Sequence, residues 1–500
     1  MAADNNRMRV LRPLQACNLC KARKKKCDKS LPSCGYCTSK QIDCVYGDAS
    51  FPRNPASPTT KDACPKQPSL WPSPARVIIN PKHALQLAEG FGREVYLDVY
   101  RVIRDSGQFV DDITARFFNG IHHQLPLISR SSFYNNLAAL GPASSVDSSL
   151  LLLAMSLFTK TPDAHAKTVP NLEKRRALYL SLKSLYAQVQ ACSPPSIPLI
   201  QAGVLLGMHE YMNGQPYNGF MTISTCARMA YAAGIHMHFS HENTSSRKPD
   251  SPSLFQEEEE ANTWWGIVIC ERTFLCELET NSQPLLSVFP AGDARLPIES
   301  QVLDQLDILE HGSLPNIPLS CLTFPNLGGF SRMAQATCFL DQVRNAFEVD
   351  NIDSRLLLLS RLDTNIQSFL SLVMPQCQEE PGIYCSAMNI TIRTLFILHW
   401  HIITQLKICA PRYEPRDVWL ARSHEALETV AKMVIDIADL LLATPVQGTT
   451  TYMVDTMPPQ YPYIARAVLG YLCTRKSIEE PEWSKKAREI LQMWLDKYSE

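Results

Sequence analysis

The chain has 500 residues with 48 Lys and Arg against 49 Asp and Glu, a formal net charge of −1 that hides an uneven distribution. Met1 to Val10 is polar and lacks the apolar core of a secretory signal, so its 17 cysteines are not expected to form a secreted disulfide framework. Apolar runs such as Leu150 to Phe158 are too short for a membrane span, which excludes membrane insertion from the expectations.

The first fifty residues carry ten Lys or Arg against four Asp, a net of +6, leaving −7 for the rest. Six cysteines stand there: Cys17, Cys20, Cys27, Cys34, Cys37 and Cys44, or C-x2-C-x6-C-x6-C-x2-C-x6-C. Each C-x2-C pair can clip a metal from one turn of chain, and the two distal cysteines let six thiolates share two tetrahedral zinc ions, with a pair of sulfurs bridging. Thiolates must lose their protons to bind zinc, and Lys21, Arg23, Lys24, Lys25, Lys26 and Lys29 reduce the cost of gathering six negative sulfurs. With two zinc ions and six thiolates added the head keeps a charge of about +4, suited to a polyanion. A segment this small has too little apolar surface to fold by burial, so metal must supply most of its folding free energy.

Cys17-Asn-Leu-Cys20-Lys-Ala-Arg-Lys-Lys-Lys-Cys27, then Cys34-Gly-Tyr-Cys37 and Cys44, resemble the fungal zinc binuclear cluster DNA-binding domain. The resemblance implies that Cys17 and Cys34 bridge both ions and that Pro32 is cis. It further implies that Arg23 and Lys24, at the C-terminal end of a short helix, touch base edges in the major groove of double-stranded DNA. Gln15, Lys21, Lys26 and Lys29 match the phosphate-contacting positions. Arg or Lys donating to guanine O6 and N7 would then select a CGG-like triplet, while phosphate contacts position the protein. The Arg23 to Lys26 run also suits a nuclear import signal.

Residues 1–16 are expected to be a flexible N-terminus, 17–45 the cluster domain, and 46–76 a disordered linker, since Pro52, Pro55, Pro58, Pro65, Pro68, Pro72 and Pro74 punctuate a Ser/Thr/Lys-rich stretch. Many relatives of the family carry a heptad coiled coil at this place. Here Leu85 to Tyr100 is interrupted by Gly90 and Gly92 and lacks sustained heptad spacing, so a single half-site and a homodimer formed through the C-terminal domain both stay open. Residues 77–500 show helical periodicity, as in Leu178, Leu182, Leu185 and Val189, or Leu427, Val430, Val434, Ile437 and Leu441, without alternating strands. Ile490, Leu491, Trp494, Leu495 and Tyr498 make a terminal amphipathic helix, a candidate partner surface.

Three segments of this region resemble the fungal-specific transcription factor domain, or middle homology region: Phe117-Phe118 through Phe133, His209-Glu210-Tyr211 through His236, and Trp264-Trp265 with Glu271-Arg272. Glu271 stands where the family usually has Asp; the charge is kept. The resemblance implies a mostly α chain: a small two-zinc cysteine cluster, a proline-rich linker and a large all-α regulatory domain without catalytic residues.

Enzymatic readings find little support. His236, His238 and His241 near Glu242 lack the H-E-x-x-H spacing, Val95 replaces the third glycine after Gly90-x-Gly92, and neither a nucleophile elbow nor a P-loop occurs. Trp264, Trp265, Phe117 and Phe118 read as core. The eleven cysteines outside the cluster read as reduced, buried small hydrophobes, and the glycosylation motifs at Asn243 and Asn389 are discounted for a nuclear protein. The expectation is therefore a nuclear, sequence-specific transcription factor of RNA polymerase II genes that works with the transcription machinery or a coactivator. Family grounds favour an activator of a metabolic or secondary-metabolite gene cluster. A repressor of the same fold, or a thiolate metal sensor or buffer, are the alternatives, and the basic run argues against the latter.

Overall fold

The computed structural model describes residues 16–30, 33–42, 44, 81–138, 146–159, 169–239, 253–278, 283–290, 294–299, 301–302, 316–324, 326–380, 382–408, 416–443, 458–474 and 482–498. The expectations for the N-terminal tail with Gln15, Pro32, the 46–76 linker, the Asn243 motif, and His241 with Glu242 lie outside these residues. The chain divides into two compact units, Met1–Ile79 and Asn80–Glu500.

The first unit contains two five-residue helices, α1 (Asn18–Ala22) and α2 (Gly35–Ser39). In the second, α3 (Pro81–Asp105), α4 (Val110–Asn119), α5 (Arg130–Ala138), α6 (Val146–Thr159), α7 (Val169–Cys192), α8 (Ile197–Met212), α9 (Pro216–Ala233) and α10 (Ser253–Leu275) form one group of helices. A second group comprises α11 (Gly329–Phe347), α12 (Ile352–Glu379), α13 (Cys385–Ile408), α14 (Arg416–Ala443), α15 (Tyr461–Thr474) and α16 (Glu482–Tyr498). The described residues contain no strand, only an isolated bridge between Arg295 and Pro318, and no helix among them is long and apolar enough to cross a membrane.

Helix α8 is apolar around most of its circumference and accordingly packs against α6, α9 and α10 at once. Its start is set by Ser196, whose hydroxyl accepts from the Leu199 N–H at 3.3 Å; Gly234, at φ 79, ends α9 in the left-handed conformation. The α8–α9 approach depends on small residues: a Cβ on Gly219 would meet the Gly207 carbonyl at 2.8 Å and the Phe274 ring at 3.2 Å. The expected stripe on α7 is buried at Leu178, Leu182 and Val189, and that on α14 at Leu427, Val430 and Val434.

The two helical groups are tied by aromatic stacking and buried ion pairs. Tyr211 of α8 lies between Phe274 and Tyr463, each ring centroid 4.3 Å away, and the Tyr463 hydroxyl donates to the Tyr211 carbonyl at 2.5 Å. Arg272 of α10 donates to Asp341 of α11 at 2.7 Å, and Arg393 of α13 to Glu277 at 2.8 Å.

The structure corrects three expectations. Gly90 and Gly92 do not interrupt the Leu85 to Tyr100 segment, which lies inside one 25-residue helix, α3, because Val95, Val99 and Ile103 bury a face and α3 packs on α6 and α7. The terminal helix α16 buries Ile490, Leu491, Trp494 and Leu495 against α14 and α15, so its apolar stripe is core rather than a partner surface. Of the described cysteines outside the cluster only Cys226 and Cys270 are buried; Cys192 and Cys473 are exposed and the rest lie between.

Candidate metal centre and nucleic-acid interface

The cluster is built from one local unit used twice, seventeen residues apart. Cys17 caps α1, its sulfur accepting from the Cys20 N–H at 3.5 Å, and Cys34 caps α2 in the same way through the Cys37 N–H at 3.5 Å. Each helix stops after five residues in a matching turn. Lys25 N–H donates to the Cys20 carbonyl at 2.9 Å and Ile42 N–H to the Cys37 carbonyl at 3.1 Å. Lys24 (φ 51) and Gln41 (φ 54) take the left-handed conformation that turns the chain back toward Cys27 and Cys44.

The six sulfurs fall into two sets of four, Cys17, Cys20, Cys27 and Cys34, and Cys17, Cys34, Cys37 and Cys44, each with all sulfurs within 4.8 Å of one another. Cys17 and Cys34 belong to both. Sulfur separations of 3.7 Å for Cys17–Cys34, 3.7 Å for Cys17–Cys37 and 3.6 Å for Cys20–Cys34 match the edge of a tetrahedron with ~2.3 Å zinc–sulfur bonds, about 3.8 Å. The donor set and spacing therefore fit two zinc ions. The thiols themselves are unevenly poised. The Cys20 N–H, working against burial, draws Cys17 down to about 6, while burial pushes Cys20 up to about 12 and Cys37 further. Bound divalent metal supplies the positive charge that lets all six ionise together.

Asp28 links the two halves. Its carboxylate accepts from the Gly35 N–H at 3.0 Å and from the Ser30 hydroxyl at 2.8 Å, and these bonds, Ser30 first, hold it below the usual carboxylate range. A Cβ on Gly35 would come within 2.9 Å of that carboxylate. This clasp is absent from the sequence reading; the acid directly after Cys27 and the glycine directly after Cys34 are the only signals of it.

The basic residues distribute unevenly over this symmetric frame. Lys21 lies in the last turn of α1, Arg23 is its C-cap, and Lys24, Lys25 and Lys26 follow, all exposed; Lys29 is half-buried at φ 58. Positive charge at a helix C-terminus is also favoured by the helix dipole. Seventeen residues on, the corresponding positions are Thr38, Lys40, Gln41, Ile42 and Asp43. One half is thus a cationic surface and the other is not.

In the helical unit the family-like segments serve as internal fasteners. Phe117 and Phe118 are buried edge to face at 5.4 Å, and Trp264 and Trp265 are buried too, as the sequence suggests. Glu210 binds Lys183, the Tyr179 hydroxyl at 2.7 Å and the Thr222 hydroxyl at 2.6 Å. Glu271 accepts from the Leu286 and Ser287 N–H groups, both at 2.9 Å, and Arg272 lies 4.8 Å over the Phe289 ring. His236 packs edge-on against Tyr231 at 4.6 Å, and among the described residues no metal-holding group occurs outside the six cysteines. Asn389 and Thr391 are buried within α13. Ser423, His399 and Asp363 form a hydrogen-bonded series at 3.3 Å and 3.3 Å that resembles a catalytic relay. The serine is only 1% exposed and Arg422 also binds Asp363, so the series fastens α12, α13 and α14 together.

Residues 15–52 match the fungal Zn(2)-Cys(6) binuclear cluster domain, and residues 114–427 match the fungal specific transcription factor domain. The chain belongs to this family of fungal transcription factors. Members of the family are DNA-binding regulators rather than enzymes, and the cluster domain that residues 15–52 match binds two zinc ions through six cysteines. The chain is 28% identical over 127 residues to transcription factor BOA15 of Botryotinia fuckeliana, covering 25% of this chain and 68% of that protein. Over 54 residues it is 39% identical to an ABC-transporter-regulating transcription factor of Aspergillus fumigatus, covering 11% of this chain and 6% of the relative. Over 67 residues it is 36% identical to transcription factor lfc1 of Flammulina velutipes, covering 13% and 24%. The chain thus spans less than a tenth of the Aspergillus relative and a quarter of the Flammulina one. No solved structure matches.

Proposed function

We propose that the chain acts in the nucleus as a sequence-specific activator of RNA polymerase II genes, reading a CGG-like triplet through residues 17–45 and passing the signal to the transcription machinery or a coactivator through residues 77–500, with 46–76 as the linker. Arg23 and Lys24 contact bases; Gln15, Lys21, Lys26 and Lys29 contact phosphates. Cys17, Cys20, Cys27, Cys34, Cys37 and Cys44 hold the two zinc ions, with Cys17 and Cys34 shared. The targets are a metabolic or secondary-metabolite gene cluster, a reading supported by the family rather than by any residue.

The observation that carries DNA reading is the asymmetry of the repeat. Metal binding alone needs only the six sulfurs and would be served by two equivalent halves, yet the run Arg23 to Lys26 is exposed on one half only. Arg or Lys at the open end of a helix is the side chain best suited to guanine O6 and N7. Zinc-loaded protein incubated with a randomised duplex library, with a chelated control and a salt series, tests the proposal. Enrichment of one CGG-like triplet supports reading by a single copy, and a spaced pair supports a homodimer. About five neutralised phosphates predict a slope of log affinity against log salt near −4.5. Zinc-dependent but sequence-blind binding would overturn triplet reading, and absence of zinc-dependent binding would overturn the whole assignment.

A further inference from the structure

Among the described cysteines of the helical unit, two chemical kinds stand apart. Cys226, Cys276 and Cys338 are held by burial at about 12, 11 and 11, unreactive as nucleophiles. Cys377 and Cys385 differ. They lie eight positions apart, one in the last turns of α12 and the other opening α13, with Gly382 (φ 99) in the connection between them. Their Sγ atoms are 2.9 Å apart, so about 0.9 Å of approach reaches the ~2.05 Å of a disulfide bond. Both residues are partly exposed rather than buried.

The two sulfurs are not alike. Cys385 stands at the N-terminal end of α13, where free backbone N–H groups favour a thiolate, and its sulfur accepts from the Gly382 N–H at 3.4 Å. The hydrogen bond from Cys377, with that N–H and against burial, draws Cys385 down to about 7, while the same bond and burial push Cys377 up. This is the pairing of an attacking thiol with a resolving thiol.

We propose that Cys377 and Cys385 form a reversible thiol–disulfide site that exchanges with low-molecular-weight disulfides of the glutathione type and locks the α12–α13 connection when oxidised. The Cys385 thiolate attacks one sulfur of the small disulfide; that S–S bond breaks and one thiolate leaves, taking a proton from solvent. Cys377 then loses its proton and attacks the Cys385 sulfur of the mixed disulfide, expelling the second small thiol, which carries a proton away. Two cysteines are oxidised to one disulfide and one disulfide is reduced to two thiols.

The test uses the full zinc-loaded chain in glutathione buffers with a rising disulfide fraction, trapped by alkylation and read peptide by peptide by mass spectrometry, with helicity followed in parallel. The exposed Cys192 and Cys473 serve as internal references. The peptide holding both cysteines is expected to lose its two alkylation sites as an internal cross-link, with Cys385 reacting about tenfold faster than the references near neutral pH. In Cys377→Ser, Cys385 should accumulate as a mixed disulfide; in Cys385→Ser, Cys377 should stay alkylatable. The proposal is overturned if the pair reacts no faster than the references without cross-linking, if only mixed disulfides form on the wild type, or if the cross-link forms only where helicity is lost.

Discussion

Arg23 and Lys24 are neighbours with different backbone roles: Arg23 closes α1, and Lys24 takes the left-handed turn that brings Cys27 back to the metal centre. Charge and turn can be separated by substitution. Lys24→Gly keeps the turn, since glycine adopts positive φ without the ~1 kcal/mol strain of a side chain, and removes only the cation. It is expected to retain two zinc ions by metal analysis while losing about 1–3 kcal/mol of preference for its DNA site, and Arg23→Ala likewise. Lys26→Ala should weaken binding to all sequences and flatten the salt slope by about 1. Elsewhere, His122 is buried with neither ring nitrogen hydrogen-bonded. Burial, then His123 and Arg130, push it down to about 3. Above the ordinary 6.5 it is neutral in both states and adds nothing. As pH falls below 6.5 the unfolded chain takes a proton that the folded chain refuses, so stability should drop by about 1.4 kcal/mol per pH unit from this site. Acid unfolding of His122→Leu followed by helicity should show a shallower limb; an unchanged limb would remove His122 from the account. Glu271→Ala should cost about 3–5 kcal/mol, because it strands two backbone N–H groups and unbalances buried Arg272.

At the level of elements, the close approach of α8 and α9 gives the sharpest expectation. Alanine in place of Gly219 would gain up to about 1 kcal/mol of helix propensity, but its methyl meets a backbone carbonyl and an aromatic ring that cannot both retreat. Overpacking of this kind costs about 1–3 kcal/mol, so the net effect on thermal unfolding should be destabilising. A stabilised Gly219→Ala would show that the helices slide apart freely. The same elements show why some structure is legible in sequence and some is not. The stripes of α7 and α14 can be read because periodicity records which face is buried. Gly90 and Gly92 mislead because propensity is local, whereas α3 is held by Val95, Val99 and Ile103 packing on distant helices. The amphipathic pattern of α16 announces an apolar face without saying what covers it; α14 and α15 do. For Cys377 and Cys385 the limit is sharper, since nothing in their spacing marks them as a pair and only the connection between α12 and α13 brings them together.

For the whole molecule, the two units should respond to different treatments. Among the described residues, the cluster unit has no apolar core beyond its sulfurs and a few flanking side chains, whereas the helical unit buries a continuous apolar core. Chelation is expected to abolish the helical turns of 17–44 and DNA binding together while leaving the main thermal transition of residues 80–500 in place, measurable by calorimetry with and without chelator. Loss of the main transition on chelation would mean that the units are energetically fused. The cluster's chemistry is legible because ligand type and spacing nearly determine a metal site. The Asp28 clasp is far less so, because its place directly after Cys27 and that of Gly35 directly after Cys34 do not by themselves say that the two meet.

The cluster is a seventeen-residue repeat of two halves. Each half contributes three sulfurs, one short of a tetrahedral shell, and each completes its set by borrowing the helix-capping cysteine of the other. Deleting either half leaves three sulfurs, one short of a complete set. Removing one half should therefore abolish tetrahedral zinc binding by the other, checked by metal analysis of the truncated chain.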